Sequence, residues 1–124
     1  MNIENIKHNE LKEKIRMIYL FEENNNTEMI ENTDNTIKKY LSENEFIVSV
    51  ENNEMVKIPY GNDGNYVIPI FTDLKEYNRG MEYYELNKMN KNKDYSIRKL
   101  KKIDDPNFLG YLINMASVSY ITCL

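Results

Sequence analysis

The chain has 124 residues, one histidine, one cysteine, no tryptophan and a formal net charge of −4. That length suits a single domain with a single core and leaves no room for two. A lone cysteine excludes an intrachain disulfide, and His8 stands too far in sequence from Cys123 to suggest a metal quartet or a Cys/His catalytic pair.

A hydrophobic share of 41% beside a charged share of 29% is typical of a soluble globular protein. Abundant Asn, Lys, Ile and Tyr, with scarce Ala, Gly and Pro, point to an AT-rich genome. The N-terminus lacks a basic start with an apolar core after it, and no apolar run approaches the ~18 residues of a membrane span. A cytoplasmic protein without a membrane association is therefore expected. Residues 1–62 carry 7 basic and 12 acidic side chains, net −5, and residues 63–124 carry 9 and 8, net +1.

In chain order, Ile3, Ile6, Leu11, Ile15 and Ile18 recur at near-helical spacing and predict an amphipathic helix over 2–22, on which His8 is a solvated residue. Thr27 is placed to cap a second helix carrying Met29, Ile30, Ile37, Tyr40 and Leu41, with an interruption at Asn32-Thr33-Asp34, where three cap-type residues follow one another. From Phe46 the period becomes that of strands. Phe46 to Val50 and Met55 to Ile58 flank a polar turn, and Gly61 to Gly64 lead by a second turn into Tyr66-Val-Ile-Pro-Ile-Phe71. Pro69 has no N–H to give a ladder, which predicts an edge or a bulge on one side of that strand.

Asp73-Leu-Lys-Glu76 has capping-box spacing, Thr72 could cap as well, and Gly80 offers a C′ stop, so a short helix is expected. Glu82 to Met89 suggests a further strand. A helix from Asp94 or Ser96 would carry Ile97, Leu100 and Ile103 up to Pro106, and Phe108 to Ile113 with Val118 to Thr122 would close the sheet as a hairpin. Residues 1–124 thus read as one α+β domain: two N-terminal helices followed by a mostly antiparallel sheet with one or two further short helices packed on one face.

An ordered pattern resembles the N-terminal domain of SseB-type proteins. It consists of a helix ending in Tyr40-Leu41, the strand Phe46 to Val50 with its return strand, the strand into Phe71-Thr72-Asp73, and a late helix before a closing hairpin. The similarity covers about Ile37 to Leu124. Where that family commonly has an Asn-Pro turn, Asn114 is followed here by Met115. The family has no agreed chemistry, so the resemblance implies a fold and a binding role and no catalytic residue, cofactor or metal.

Two surfaces stand out. Phe71, Thr72, Asp73, Tyr77, Arg79 and Gly80 surround the end of a buried strand, where an interaction site could be held rigidly, although capping and packing explain the same residue types. Lys88, Lys91, Lys93, Arg98, Lys99, Lys101 and Lys102 form a basic block relieved by Asp94 alone, a possible patch for an anionic partner. A sequence pI near 5.1 opposes nucleic acid, because a polyanion would also meet the acidic half. The sequence reads as a non-enzymatic, bacterial protein-interaction module with an unidentified protein partner, or alternatively as an immunity-type protein that binds and neutralises a toxin.

Overall fold

The structure is a computed structural model that describes residues 2–86 and 94–124, with the backbone alone for 84–86. It is an α+β fold in which two N-terminal helices precede a mixed, mostly antiparallel sheet of seven strands.

The N-terminal apolar pattern divides in two. A 3-10 turn at Ile3–Asn5 and an isolated bridge from Lys7 to Asp73 precede α1, which runs Asn9–Glu23. The five-residue step from Ile6 to Leu11 in the sequence marks the break. Leu11, Ile15 and Ile18 belong to the buried stripe of α1, whereas Ile6 joins a different cluster. His8 is not solvated: its Nε2 lies 2.8 Å from the Glu45 carbonyl, its Nδ1 2.7 Å from the Tyr40 hydroxyl, and its ring sits 4.5 Å from that of Phe46.

Asn26, not Thr27, caps α2 (Thr27–Glu43), its Oδ1 accepting from Met29 N at 3.3 Å. The helix is continuous through Asn32-Thr33-Asp34. Tertiary partners override the cap-type residues: Thr33 is buried, and Asp34 Oδ1 accepts from the Tyr120 hydroxyl at 2.5 Å and the Thr122 hydroxyl at 3.1 Å.

β1 (Glu45–Glu51) turns through Asn52 and Asn53, both at positive φ, into β2 (Glu54–Met55). Two adjacent residues of that kind are what a tight hairpin turn requires. β3 (Ile58–Pro59) then turns through Gly61, Asp63 and Gly64 into β4 (Tyr66–Phe71), whose six residues are all buried. β4 is an interior strand. On one side it pairs in parallel with β6 (Phe108–Ile113), with a register shift at Tyr66/Val67. Its other side meets β3 at Tyr66–Val67 and β1 at Ile70–Phe71, so Pro69 falls where the pairing passes from one partner to the next. The missing N–H is accommodated by a change of neighbour and not by an edge.

Two expectations after β4 are corrected. α3 runs Leu74–Leu86, so Gly80 lies inside it and Glu82 to Leu86 are helical, not a strand; the rest of that expected strand, 87–89, lies outside the described residues. Gly80 is there for space: a Cβ on it would come within 2.5 Å of the Phe71 ring. Asp94–Lys99 forms β5, not a helix, and pairs antiparallel with β1 from Glu45↔Lys99 to Val50↔Asp94. The polar and apolar residues of 94–98 alternate, and a full-length partner decides in favour of the strand. β6 and β7 (Tyr120–Thr122) close the sheet as an antiparallel pair.

Strand alternation sorts the apolar side chains onto two faces. Phe46, Val48, Ile68 and Ile70 meet Leu11, Ile15, Ile37 and Leu41 under α1 and α2. Ile47 and Phe71 face the other way, against Ile6 and Tyr77, and there α3 is the cover. Each such fully buried aliphatic side chain contributes roughly 1.5–3 kcal/mol. Among the described residues no helix is long and apolar enough to cross a membrane.

Candidate functional site

Because β4 and β6 run in parallel, their carboxyl ends lie side by side and both continue into connections at the same rim of the sheet. Such a rim is where α/β folds tend to place ligands. Here the two ends are tied to each other. Asn114, held at positive φ immediately after β6, is buried; its Oδ1 accepts from Thr72 N at 3.0 Å, while its Nδ2 donates to Thr72 Oγ1 at 3.0 Å. Asn is among the residues that accept this backbone region at low cost. The Asn114 N–H donates to the Ile70 carbonyl at 3.0 Å, and Ser117 N closes the following turn on the Asn114 carbonyl.

Asp73 starts α3. Its Oδ1 accepts from Glu76 N at 3.0 Å, satisfying one of the free amides of the first helical turn. Its Oδ2 accepts from the Thr72 hydroxyl at 3.1 Å and pairs with Lys12 Nζ at 3.4 Å. Burial acts to raise the Asp73 pKa, but the Glu76 amide, the Lys12 charge and the Thr72 hydroxyl favour the anion more, and the net shift is downward.

Glu76 does not complete the capping box. Only 2% exposed, its side chain points to cations: Oε1 lies 3.5 Å from Lys12 Nζ and 3.3 Å from Arg79 Nη1, while Oε2 is buried with no hydrogen-bond partner among the described residues. Arg79 Nη1 also donates to Ser117 Oγ at 3.1 Å, which lays its guanidinium across to the β6–β7 connection. Lys12, Arg16, Lys75, Glu76, Arg79 and Val118 are among the residues lining a cleft of about 600 Å³ beside these groups.

The cleft continues onto an apolar shelf. Leu20 and Val118, 55% and 50% exposed, are the most exposed large apolar side chains among the described residues, and Tyr19 at 41% lies with them. They share a lining with Arg16, Glu23, Ser117 and Ser119, and the Tyr19 hydroxyl donates to the Ser119 carbonyl. Lys12 and Arg16 carry no site signal in the sequence, and Glu76, Asn114 and Val118 stand out there only as cap, turn and strand residues. The signal available for Leu20 was local: Tyr19 and Leu20 are apolar residues beside the stripe of Leu11, Ile15 and Ile18 and not on it.

Of the residues expected around the β4 end, Arg79 lines the cleft and Asp73 borders it through its ion pair with Lys12. Phe71, Thr72 and Gly80 are buried, and Tyr77 is 7% exposed, packed edge-on to Phe71 at 5.3 Å between ring centroids. The basic block is described only in part. Lys88, Lys91 and Lys93 lie outside the described residues, and Arg98 and Lys99, as neighbours on β5, point to opposite faces. Arg98 is occupied with Asn53, donating to its carbonyl at 3.0 Å and its Oδ1 at 2.9 Å. Lys101 and Lys102 follow on an exposed connection. Among the described residues no three His, Cys, Asp or Glu converge as metal ligands. No protein-family model matches the chain, and no curated protein or solved structure matches it.

Proposed function

We propose that this chain is a non-enzymatic protein-interaction module of the SseB-like type, working in the bacterial cytoplasm, and that it docks its partner on the surface formed by α1, the start of α3 and the β6–β7 connection. One observation carries the reading. Leu20, Val118 and Tyr19 stand exposed together on the rim of a cleft whose floor is a buried, ion-paired glutamate. Contiguous apolar side chains rimmed by fixed charge are characteristic of protein-binding surfaces. The polar groups nearby are already engaged in holding the rim: Asp73 caps α3, Asn114 ties β6 to β4, and Glu76 holds Lys12 and Arg79. The SseB-like element of the proposal rests on the strand into Phe71-Thr72-Asp73 and the helix that follows, although the late helix of that pattern is a strand here.

Affinity capture with a Leu20→Asp/Val118→Asp variant tests the reading. Both positions are exposed, so the variant should melt within about 2 °C of the wild type. The expected result is a protein captured by the wild type and by a remote Tyr60→Asp control, and lost with the double variant. Identical capture profiles for all three baits would overturn the proposal. A captured toxin whose activity the chain suppresses would instead move the protein to the immunity-type reading.

A further inference from the structure

Resting on the docking reading above, we propose that the partner presents an extended acidic segment, with a carboxylate set between Arg79 and Lys75 in the cleft and an apolar side chain laid on Leu20 and Val118.

Charge selects this occupant. Three cations, Lys12, Lys75 and Arg79, line the α3 end of the cleft against Glu76 and the Asp73 paired with Lys12, while Arg16 is answered by Glu13 and the shelf adds Glu23, so a small positive excess sits at Lys75 and Arg79 on a molecule whose formal net charge is −4. Exposed charges are screened beyond ~8–10 Å at physiological salt, so a ligand at this rim responds to the local excess more than to the distant acidic surface. Glu76 neutralises part of that excess and also fixes its geometry. A carboxylate that is 2% exposed, with Lys12 and Arg79 both on Oε1 and no partner on Oε2 among the described residues, is an expensive way to stabilise a helix. It makes sense as a device that holds Arg79 in place. Arg79 gives Nη1 to Glu76 and Ser117, and Nε and Nη2 carry the N–H donors that grip a carboxylate side-on.

The same lining argues against a polyanion. A shelf of Leu20 and Val118 offers repeated phosphates nothing, and the small excess at Lys75 and Arg79 suits one carboxylate and not a run of charges. A peptide suits both halves, because Arg16, Ser117 and Val118 belong to cleft and shelf alike and make one continuous track. Side chains two residues apart in an extended segment lie on the same side, so an acid and an apolar residue at that spacing can point into both parts at once.

The test is selection of random twelve-residue peptides from a display library on the intact protein, followed by fluorescence anisotropy with a selected peptide. Selected sequences are expected to carry Asp or Glu two positions from Leu, Ile, Phe or Tyr. Affinity should fall at least tenfold when the acids become Asn or Gln, and likewise in Lys75→Glu, an exposed position whose change leaves the fold intact. Arg79→Glu should do the same if it melts as the wild type does. Raising the salt should weaken binding mainly through the association rate. Neutral or basic selected peptides that still need Leu20 and Val118 would leave the docking surface standing and overturn this inference. So would an empty selection, tighter binding of a thymidine oligonucleotide or inorganic phosphate, or self-association of the chain through the same shelf.

Discussion

Replacing Gly80 with alanine tests the closest approach in the fold. A Cβ at that position would lie 2.5 Å from Phe71 Cε1, 2.9 Å from Phe71 Cζ and 3.0 Å from Met115 Cε. Carbon atoms settle at ~3.5–4.0 Å, so the ring or the helix must give by about 1 Å. The ring has little freedom, since Phe71 is fully buried and Tyr77 packs edge-on against it. Overpacking of this kind costs ~1–3 kcal/mol, and alanine in a helix interior returns ~1 kcal/mol relative to glycine. The net expectation is a loss of about 1 kcal/mol, rising to about 2 if α3 cannot slide. For a domain of this size that is a fall in Tm of about 3–6 °C per kcal/mol. Urea denaturation followed by circular dichroism, beside calorimetry, measures both. A second arm removes the obstacle: with Phe71→Leu already in place, Gly80→Ala should cost less than it does alone, a coupling of ~0.5–2 kcal/mol between touching residues. Equal or greater stability for Gly80→Ala, or strict additivity with Phe71→Leu, would show that α3 does not rest on β4 at this point.

Two other predictions concern the frame of the site. Asp73→Ala removes the α3 cap and one partner of Lys12 and should cost ~1–2 kcal/mol, whereas Phe71→Ala should cost ~3–5 kcal/mol, both read by chemical denaturation; a reversed order would refute the placement of the two side chains. Burial lowers the pKa of His8 from 6.5 despite the opposing Glu45 carbonyl and the Asp73 charge. The unfolded chain therefore binds the proton more readily, so this contribution to stability is full above pH 6.5 and declines as the pH falls toward the lowered value. Relative to wild type, His8→Gln should flatten the stability profile below about pH 6.5, and an unchanged slope would count against a neutral, buried imidazole.

Most of the architecture was legible because periodicity is a local property. The change of period at Phe46, the Asn52-Asn53 turn and the Gly61 to Gly64 turn each announce themselves within a few residues, and the structure has strands and turns there. What could not be seen was decided across the chain. Gly80 reads as a stop until Phe71 is known to lie beneath it, and Asp34 reads as a cap until Tyr120 and Thr122 arrive. Asp94–Lys99 is a strand because β1 offers it an edge along its whole length, which no window around Ile97 contains. The candidate site was half visible for the same reason. Asp73 and Arg79 lie beside a strand end that stands out in the sequence, but Lys12, Asn114 and Val118 come from α1 and from the end of β6.

The position of β1 bears on how the protein is made. Ile47 is flanked in the finished sheet by Phe71 on one side and by Ile97 on the other, and both follow it in the chain. During synthesis, Phe46-Ile-Val-Ser-Val emerges early with α1 and α2 available to cover one face, but with its own hairpin arm pairing only at Val50 and Glu51. Its remaining backbone donors and acceptors on one edge wait for β4, and those on the other wait for β5, after roughly four-fifths of the chain has been made. An apolar strand with both edges open is a template for pairing with any neighbouring chain. The nascent protein is thus open to misassembly at a strand that ends up flanked on both edges, until Lys99 has been made.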